Sequence, residues 1–231
     1  GQLGLITKNK GYNITHIHLG LAFENALLDA MMQLNTNPSN TYLVGGVDEI
    51  SPFHYNIETL AGSYKKEDIS NKYLYETDSP GCVVGEGAAM FVVNTEAASS
   101  IAKVAAISTI HSTDIELLKQ QLNLFLQKNI PAGENVDLFL SGENGDNRTL
   151  PYYTACETLL ADDTAVVRYK HMVGDYATVS APGLWYACEF LQQPVPEHMF
   201  KKKTSKTEYR NILLYNNFKG LQHSFILVSN L

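Results

Sequence analysis

Apolar residues crowd every side of a helical wheel between residues 21 and 34, so this stretch predicts a helix buried nearly all round. The loop Thr15-His16-Ile17-His18-Leu19-Gly20 feeds its N-terminus, and the polar run 35–40 breaks it. Tyr42-Leu43-Val44, inside 41–49, is too apolar for a strand wetted on one face and predicts a central one. Gly45-Gly46 then lets the chain turn sharply.

The pattern continues in the same style. Residues 1–11 read as the tail of a helix or strand. Residues 51–79 are polar and rich in Tyr (Tyr55, Tyr64, Tyr73, Tyr75) and read as a long irregular surface insertion. Residues 81–93 read as two apolar strands joined by Gly85-Glu86-Gly87. A strand at 101–110 precedes an amphipathic helix at 114–127 with Asp114 at its N-cap. A buried strand at 136–140 runs through a Gly-rich loop, 141–148, into a helix over 149–160. After a strand at 165–167 and a loop at 169–178 comes a helix over 180–191, with Ser180 as N-cap and Pro182 in its first turn. Residues 194–207 resemble a linker, and 211–215 with 224–228 form a closing strand pair. Two strand–helix series, about residues 1–96 and 97–231, predict an α/β fold of two pseudo-repeated halves sharing one layered core.

Composition narrows the classes. A chain of 231 residues, 45% hydrophobic and 18% charged, can bury a large core. A formal charge of −7 argues against a nucleic-acid binder and against an anionic membrane surface. The basic run Lys201-Lys202-Lys203 reads as a solvated loop rather than a docking patch for an acidic carrier. Cys82, Cys156 and Cys188 are widely spaced in apolar surroundings, like reduced, packed cysteines. No signal peptide opens the sequence and no apolar run is long enough to span a bilayer, so the expected location is cytoplasmic.

Candidate chemistry is sparse. The helix start at residues 16–23 favours a thiolate or an oxyanion, yet it contains no Cys and no Ser. A Gly-x-Ser-x-Gly elbow is absent. The loop at 141–148 resembles a phosphate cradle without its Lys-Ser/Thr ending. The histidines are scattered apart from His16 and His18, and Glu143 with Asp146 could form an acid/base pair. None of these names a reaction.

Four motifs in order do carry a resemblance. They are Gly45-Gly46-Val47-Asp48-Glu49, Gly85-Glu86-Gly87 with its apolar continuation to Val93, Lys170-His171-Met172-Val173-Gly174-Asp175 following Tyr169, and Asn216-Asn217-Phe218. Together they resemble the β-ketoacyl synthases of the thiolase-like fold, from the last helix of the N-terminal half onward. That resemblance implies a layered α-β-α-β-α fold with an incomplete N-terminal half. In such enzymes a Cys at the buried helix start takes an acyl group from an acyl carrier protein, and two His residues assist decarboxylation and condensation beside a Lys. Carried onto this sequence, the Cys position falls at Leu19 or Gly20, the first His near Gly142 and the second at Asp175. The Lys is retained as Lys170, and Phe218 keeps the aromatic of the closing motif.

All three catalytic positions thus depart from the family pattern, leaving no acceptor for a covalent step. The resemblance implies a degenerate, chain-length-factor-like subunit of fatty-acid, polyketide or polyene-type synthesis. Its partners would be an acyl carrier protein and an active ketosynthase subunit, in a homo- or heterodimer. No cofactor, nucleic acid or membrane is implied. Phe23, Met31, Met32 and the Tyr-rich stretch would be tunnel or interface residues. The alternative is an acyl-thioester enzyme with altered residues, using His16 or His18 with Asp175 or Glu143.

Overall fold

The computed structural model describes residues 2–231, with side chains from Gly4 onward. A short helix α1 (Gln2–Ile6) precedes an irregular stretch, a 3-10 turn at Leu19–Leu21 and helix α2 (Ala22–Thr36). Strand β1 (Tyr42–Asp48) leads to α3 (Pro52–Leu60), and β2 (Gly87–Val93) returns antiparallel to β1. The remainder comprises β3 (Lys103–His111), α4 (Ile115–Asn129), β4 (Leu138–Ser141), α5 (Leu150–Glu157), β5 (Ala165–Arg168), α6 (Lys170–Val173), α7 (Ser180–Phe190), β6 (Phe200–Lys202), β7 (Asn211–Phe218) and β8 (Gln222–Ser229). The larger sheet has the order β3-β8-β7-β4-β5-β6, with β4 parallel to both β5 and β7.

Alternation along the strands sorts its two faces. Leu138, Leu140, Val167, Leu214, Ile226 and Val228 point toward α2 and α7, meeting Phe23, Leu27, Ala181 and Leu184. Phe139, Val166, Leu213, Tyr215 and Phe225 point the other way, onto Leu118, Leu122 and Phe125 of α4 and Tyr153 and Cys156 of α5. The β1–β2 ribbon closes the far side of α2 and α7 with Tyr42, Val44, Ala89, Phe91 and Val93. The layers are therefore ribbon, helices, sheet, helices. A helix followed by an antiparallel strand pair occurs twice, as α2–β1–β2 and as α7–β7–β8, and the two helices share the middle layer.

Several expectations change. Strand β1 is not central: among the described residues its sheet has two strands, and Leu43 (64% exposed), Val47, Met90 and Val92 (69% exposed) form an open outer face. An apolar strand reads as doubly covered from sequence, but here only the inner face meets a helix layer. Helix α2 is likewise not buried all round, since Met32 is exposed while Phe23 and Leu27 are enclosed. Its polar exception is Glu24, fully buried, where it accepts a 2.6 Å hydrogen bond from Ser224 Oγ. Burial pushes the Glu24 carboxyl pKa up, and the Ser224 bond opposes this.

Residues 51–79 are more ordered than an insertion, because Ser51 caps α3 through the His54 N–H and Pro52 opens it. Only one strand, β2, forms in 81–93; the earlier part makes single bridges at Cys82 and Val84. The N-cap of α7 is Val179, and Ser180 lies inside the helix with its hydroxyl buried. Lys201-Lys202-Lys203 is no free loop: its first two residues end edge strand β6, where Lys201 bonds Glu143 and Glu157. The three cysteines are free and buried as read. No helix among the described residues is long and apolar enough to cross a membrane.

The Asp114 cap is confirmed: its carboxylate accepts from the N–H groups of Glu116 and Leu117. Asp114→Ala should cost about 1 kcal/mol and lower the thermal midpoint by about 2–4 °C, measured by calorimetry.

Candidate functional site

The chain reaches α2 through a tight turn in which Leu19 takes φ +50°, a left-handed conformation costly for a side chain with a Cβ. The reason is crowding one residue on. A Cβ on Gly20 would meet Phe218 Cβ at 2.2 Å, and the Gly20 N–H is tied to Gln222 Oε1 at 3.0 Å. The backbone is thus pinned to the β7–β8 hairpin, whose turn at Lys219-Gly220 also has positive φ at both residues. Leu19 is left 64% exposed, facing a cavity of about 640 Å³.

The opposite wall is built on Asp175. Its Oδ1 accepts from Lys170 Nζ and its Oδ2 from Asn144 Nδ2, both at 2.7 Å. Lys170 is only 1% exposed, so this charge is neutralised inside the protein. Asn144 is held in turn by the Asp146 N–H and the Thr149 hydroxyl, which both donate to its Oδ1. The Asp175 backbone pairs with Val83 and Gly85. Gly174 makes this possible with φ +75°, where a Cβ would strike Gly85 Cα at 2.5 Å.

The remaining walls come from α3 and the segment behind it. Glu58 binds Lys219 at 2.6 Å across the cavity mouth, and Arg148 pairs with Asp146 while its guanidinium also donates to the Gly62 carbonyl. The Lys219 and Ser63 bonds hold the Glu58 carboxyl pKa down despite partial burial. Tyr64 and Tyr176 line the cavity, and burial pushes both phenols up to about 12. Cys82 lines it too, but its thiol donates to the Ser63 carbonyl, and burial together with the Asp175 charge pushes its pKa well up. A thiol held neutral in this way is a poor nucleophile.

Of the residues singled out from sequence, Leu19, Asp175 and Phe218 do face one cavity. Gly20 serves packing. Gly142 does not reach the cavity: it extends β4, where a Cβ would strike Asn216 Oδ1 and Tyr215 O at under 3 Å. Asn144, two residues later, presents the polar group there instead, a residue the sequence reading passed over although Gly145 follows it directly. Glu143 turns away to Arg168 (3.1 Å) and Lys201 (2.7 Å), and Asp146 is taken by Arg148, so these two are no acid/base pair. His16 meets Asp29 at 3.3 Å, His18 is exposed, and neither lines the cavity with Asp175. Phe23 is core, and Met31 and Met32 are not lining residues; from the Tyr-rich stretch it is Tyr64 that is. Among the described residues no group of three or more His, Cys, Asp or Glu could hold a metal ion.

Beside this site, His171 stacks edge-on to Tyr75 and His198, and burial lowers its pKa to about 4, with His198 and Arg168 adding repulsion.

Sequence comparison finds no matching family model and no matching curated protein. Solved structures match in fold. A β-ketoacyl synthase from Burkholderia phymatum STM815 superposes with a TM-score of 0.80 at 14% identity, over 99% of this chain and 64% of that one. A type II polyketide ketosynthase in complex with its acyl-carrier protein gives 0.77 at 14% identity, over 99% and 66%. The ishigamide ketosynthase/chain length factor gives 0.71 at 12% identity, over 91% and 59%. The fold is therefore the thiolase-like ketosynthase fold, and the chain spans about two thirds or less of the proteins it matches.

Two outcomes test the site. Leu19→Gly removes the left-handed strain at little cost in packing and should raise the thermal midpoint by about 2–4 °C. A fall would mean that Leu19 packs more than it strains. For His171, the folded pKa lies below the unfolded value near 6.5, so its contribution is complete above pH 6.5 and is lost as pH falls toward 4. Urea titrations between pH 7 and 4 should show a steeper decline for the native chain than for His171→Gln.

Proposed function

We propose that this chain is a catalytically silent ketosynthase-like subunit that holds or shapes an acyl chain beside an active ketosynthase. The observation that carries the reading is the set of side chains facing one cavity at the start of α2: Leu19, Asn144 and Asp175, with Lys170 behind. We assign Leu19, rather than Gly20, to the nucleophile position of the ketosynthase fold, because Gly20 has no room for any side chain. Asn144 takes the place of the first histidine, one turn of loop beyond the predicted Gly142, and Asp175 the place of the second.

An alkyl side chain cannot form a thioester, and an amide gripping a carboxylate has no proton to give at neutral pH. The Asp175 charge is already spent on Lys170 and Asn144, so it neither attacks nor stabilises a developing enolate. What remains is a cavity whose front is Leu19 and Phe218, suited to an alkyl chain. The solved neighbours that include a ketosynthase with its acyl-carrier protein and a ketosynthase/chain length factor support a partner of that kind for this chain. An acyl carrier protein and an active ketosynthase subunit are the partners we assign.

Intact-protein mass spectrometry after incubation with acyl-carrier thioesters tests the reading. The expected result is an unmodified chain, with acylation appearing only on an active ketosynthase copurified with it. A covalent acyl adduct on this chain, lost in Cys82→Ala, would overturn silence and make the buried thiol the acceptor.

A further inference from the structure

We propose that the cavity selects a neutral acyl chain bearing a hydrogen-bond-accepting oxygen, and that the Tyr64 and Tyr176 hydroxyls are its specificity determinants. The inference rests on the reading of this cavity as an acyl-chain site. Of the five carboxylates that line it, four are matched within the protein, and the fifth, Glu49, is exposed to solvent. Asp175 has Lys170 and Asn144, Asp146 has Arg148, Glu58 has Lys219, and Asp48 accepts from both the N–H and the hydroxyl of Thr178. An anionic ligand group would find Arg148 and Lys219 engaged, and would have to break one of these bonds and leave a carboxylate unpaired in a partly buried wall.

The two phenols are different. Both line the cavity, both are half-buried, and neither hydroxyl has a hydrogen-bond partner among the described residues. Tyr64 is held from behind by stacking on Tyr55 at 5.3 Å, and Tyr176 stands against Gly87, where its hydroxyl lies 2.7 Å from the place of a Cβ. Their rings are thus fixed while their O–H groups stay free to donate. Burial keeps both protonated well into the alkaline range, so they are donors throughout the working range of pH. Two neutral donors in a cavity also lined by Leu19, Ile50 and Phe218 discriminate between chains by their oxygens, because a carbonyl satisfies a donor that a methylene leaves unpaired.

The test measures binding by isothermal titration of the N-acetylcysteamine thioesters of octanoic and 3-oxooctanoic acids, with free octanoate as the charged control. The expected order is 3-oxooctanoyl about tenfold tighter than octanoyl, with octanoate weakest. In the Tyr64→Phe, Tyr176→Phe double variant the two thioesters should converge while octanoyl binding holds, which also shows that the variant is folded. Equal binding of the two thioesters by the native chain, or a preference that survives in the double variant, overturns this inference and leaves the acyl-chain reading standing. Tighter binding of octanoate than of either thioester overturns it as well. Absence of binding by both thioesters overturns the inference together with the reading beneath it.

Discussion

The grip of Lys170 and Asn144 on Asp175 is the constraint that the rest of the site depends on. Lys170 and Asp175 bracket a single short turn, α6, which leaves the C-terminal end of β5. Asn144 comes from the loop that leaves β4, the neighbouring parallel strand. One carboxylate therefore ties together the carboxyl ends of two adjacent strands, and its own backbone joins the 83–85 segment that leads into β2. Removing a partner from such a buried pair leaves a charge in a low-dielectric setting, whereas the intact arrangement is electrically quiet. Its effect is geometric: it fixes one wall of the cavity without offering a reactive group.

The opposite wall is fixed by contact rather than by charge. Gly20 lies against Phe218 so closely that the turn into α2 has one solution, and Leu19 pays for it with a left-handed backbone. The same hairpin carries Gln222, which binds the Gly20 N–H, so the two middle-layer and sheet elements are keyed to each other at a single point. Asp48 does similar service for α7 by accepting from Thr178, and Glu86 for the end of β1 by accepting from the Ile50 N–H. Two of the motifs that carried the family resemblance thus hold helix and strand ends in place.

Much of this was legible in the sequence. The cap at Asp114, the closing strand pair, the strands near 138 and 165 and the layered core all follow from periodicity and turn chemistry. Leu19, Asp175 and Phe218, which line one cavity, were singled out by the family resemblance and not by periodicity. What escaped was local register. Whether β4 stops before Gly142 or after it depends on the bond from the Gly142 N–H to the Tyr215 carbonyl, a tertiary contact that no local pattern reports. The pairing of Glu143 with Arg168 and Lys201 was hidden for the same reason, as its partners sit on other strands. The open face of β1 and β2 misled in the other direction, since apolar composition states a preference for burial and not whether a neighbour supplies it.

Helix α3 has a consequence of its own. None of its side chains is buried, so no packed core holds it against the body. Its attachments include the Glu58–Lys219 ion pair, the stack of its Tyr55 on Tyr64, the Arg148 contact to Gly62 and, just beyond its end, backbone pairing of Ser63 and Lys65 with Cys82. Exposed ion pairs weaken as dissolved ions screen them, while the Asp175 grip, with Lys170 buried behind it, is screened much less. Rising ionic strength should then loosen one wall and spare the other. The two walls of one cavity thus answer to different conditions, one to the ions in solution and the other to the integrity of a buried pair.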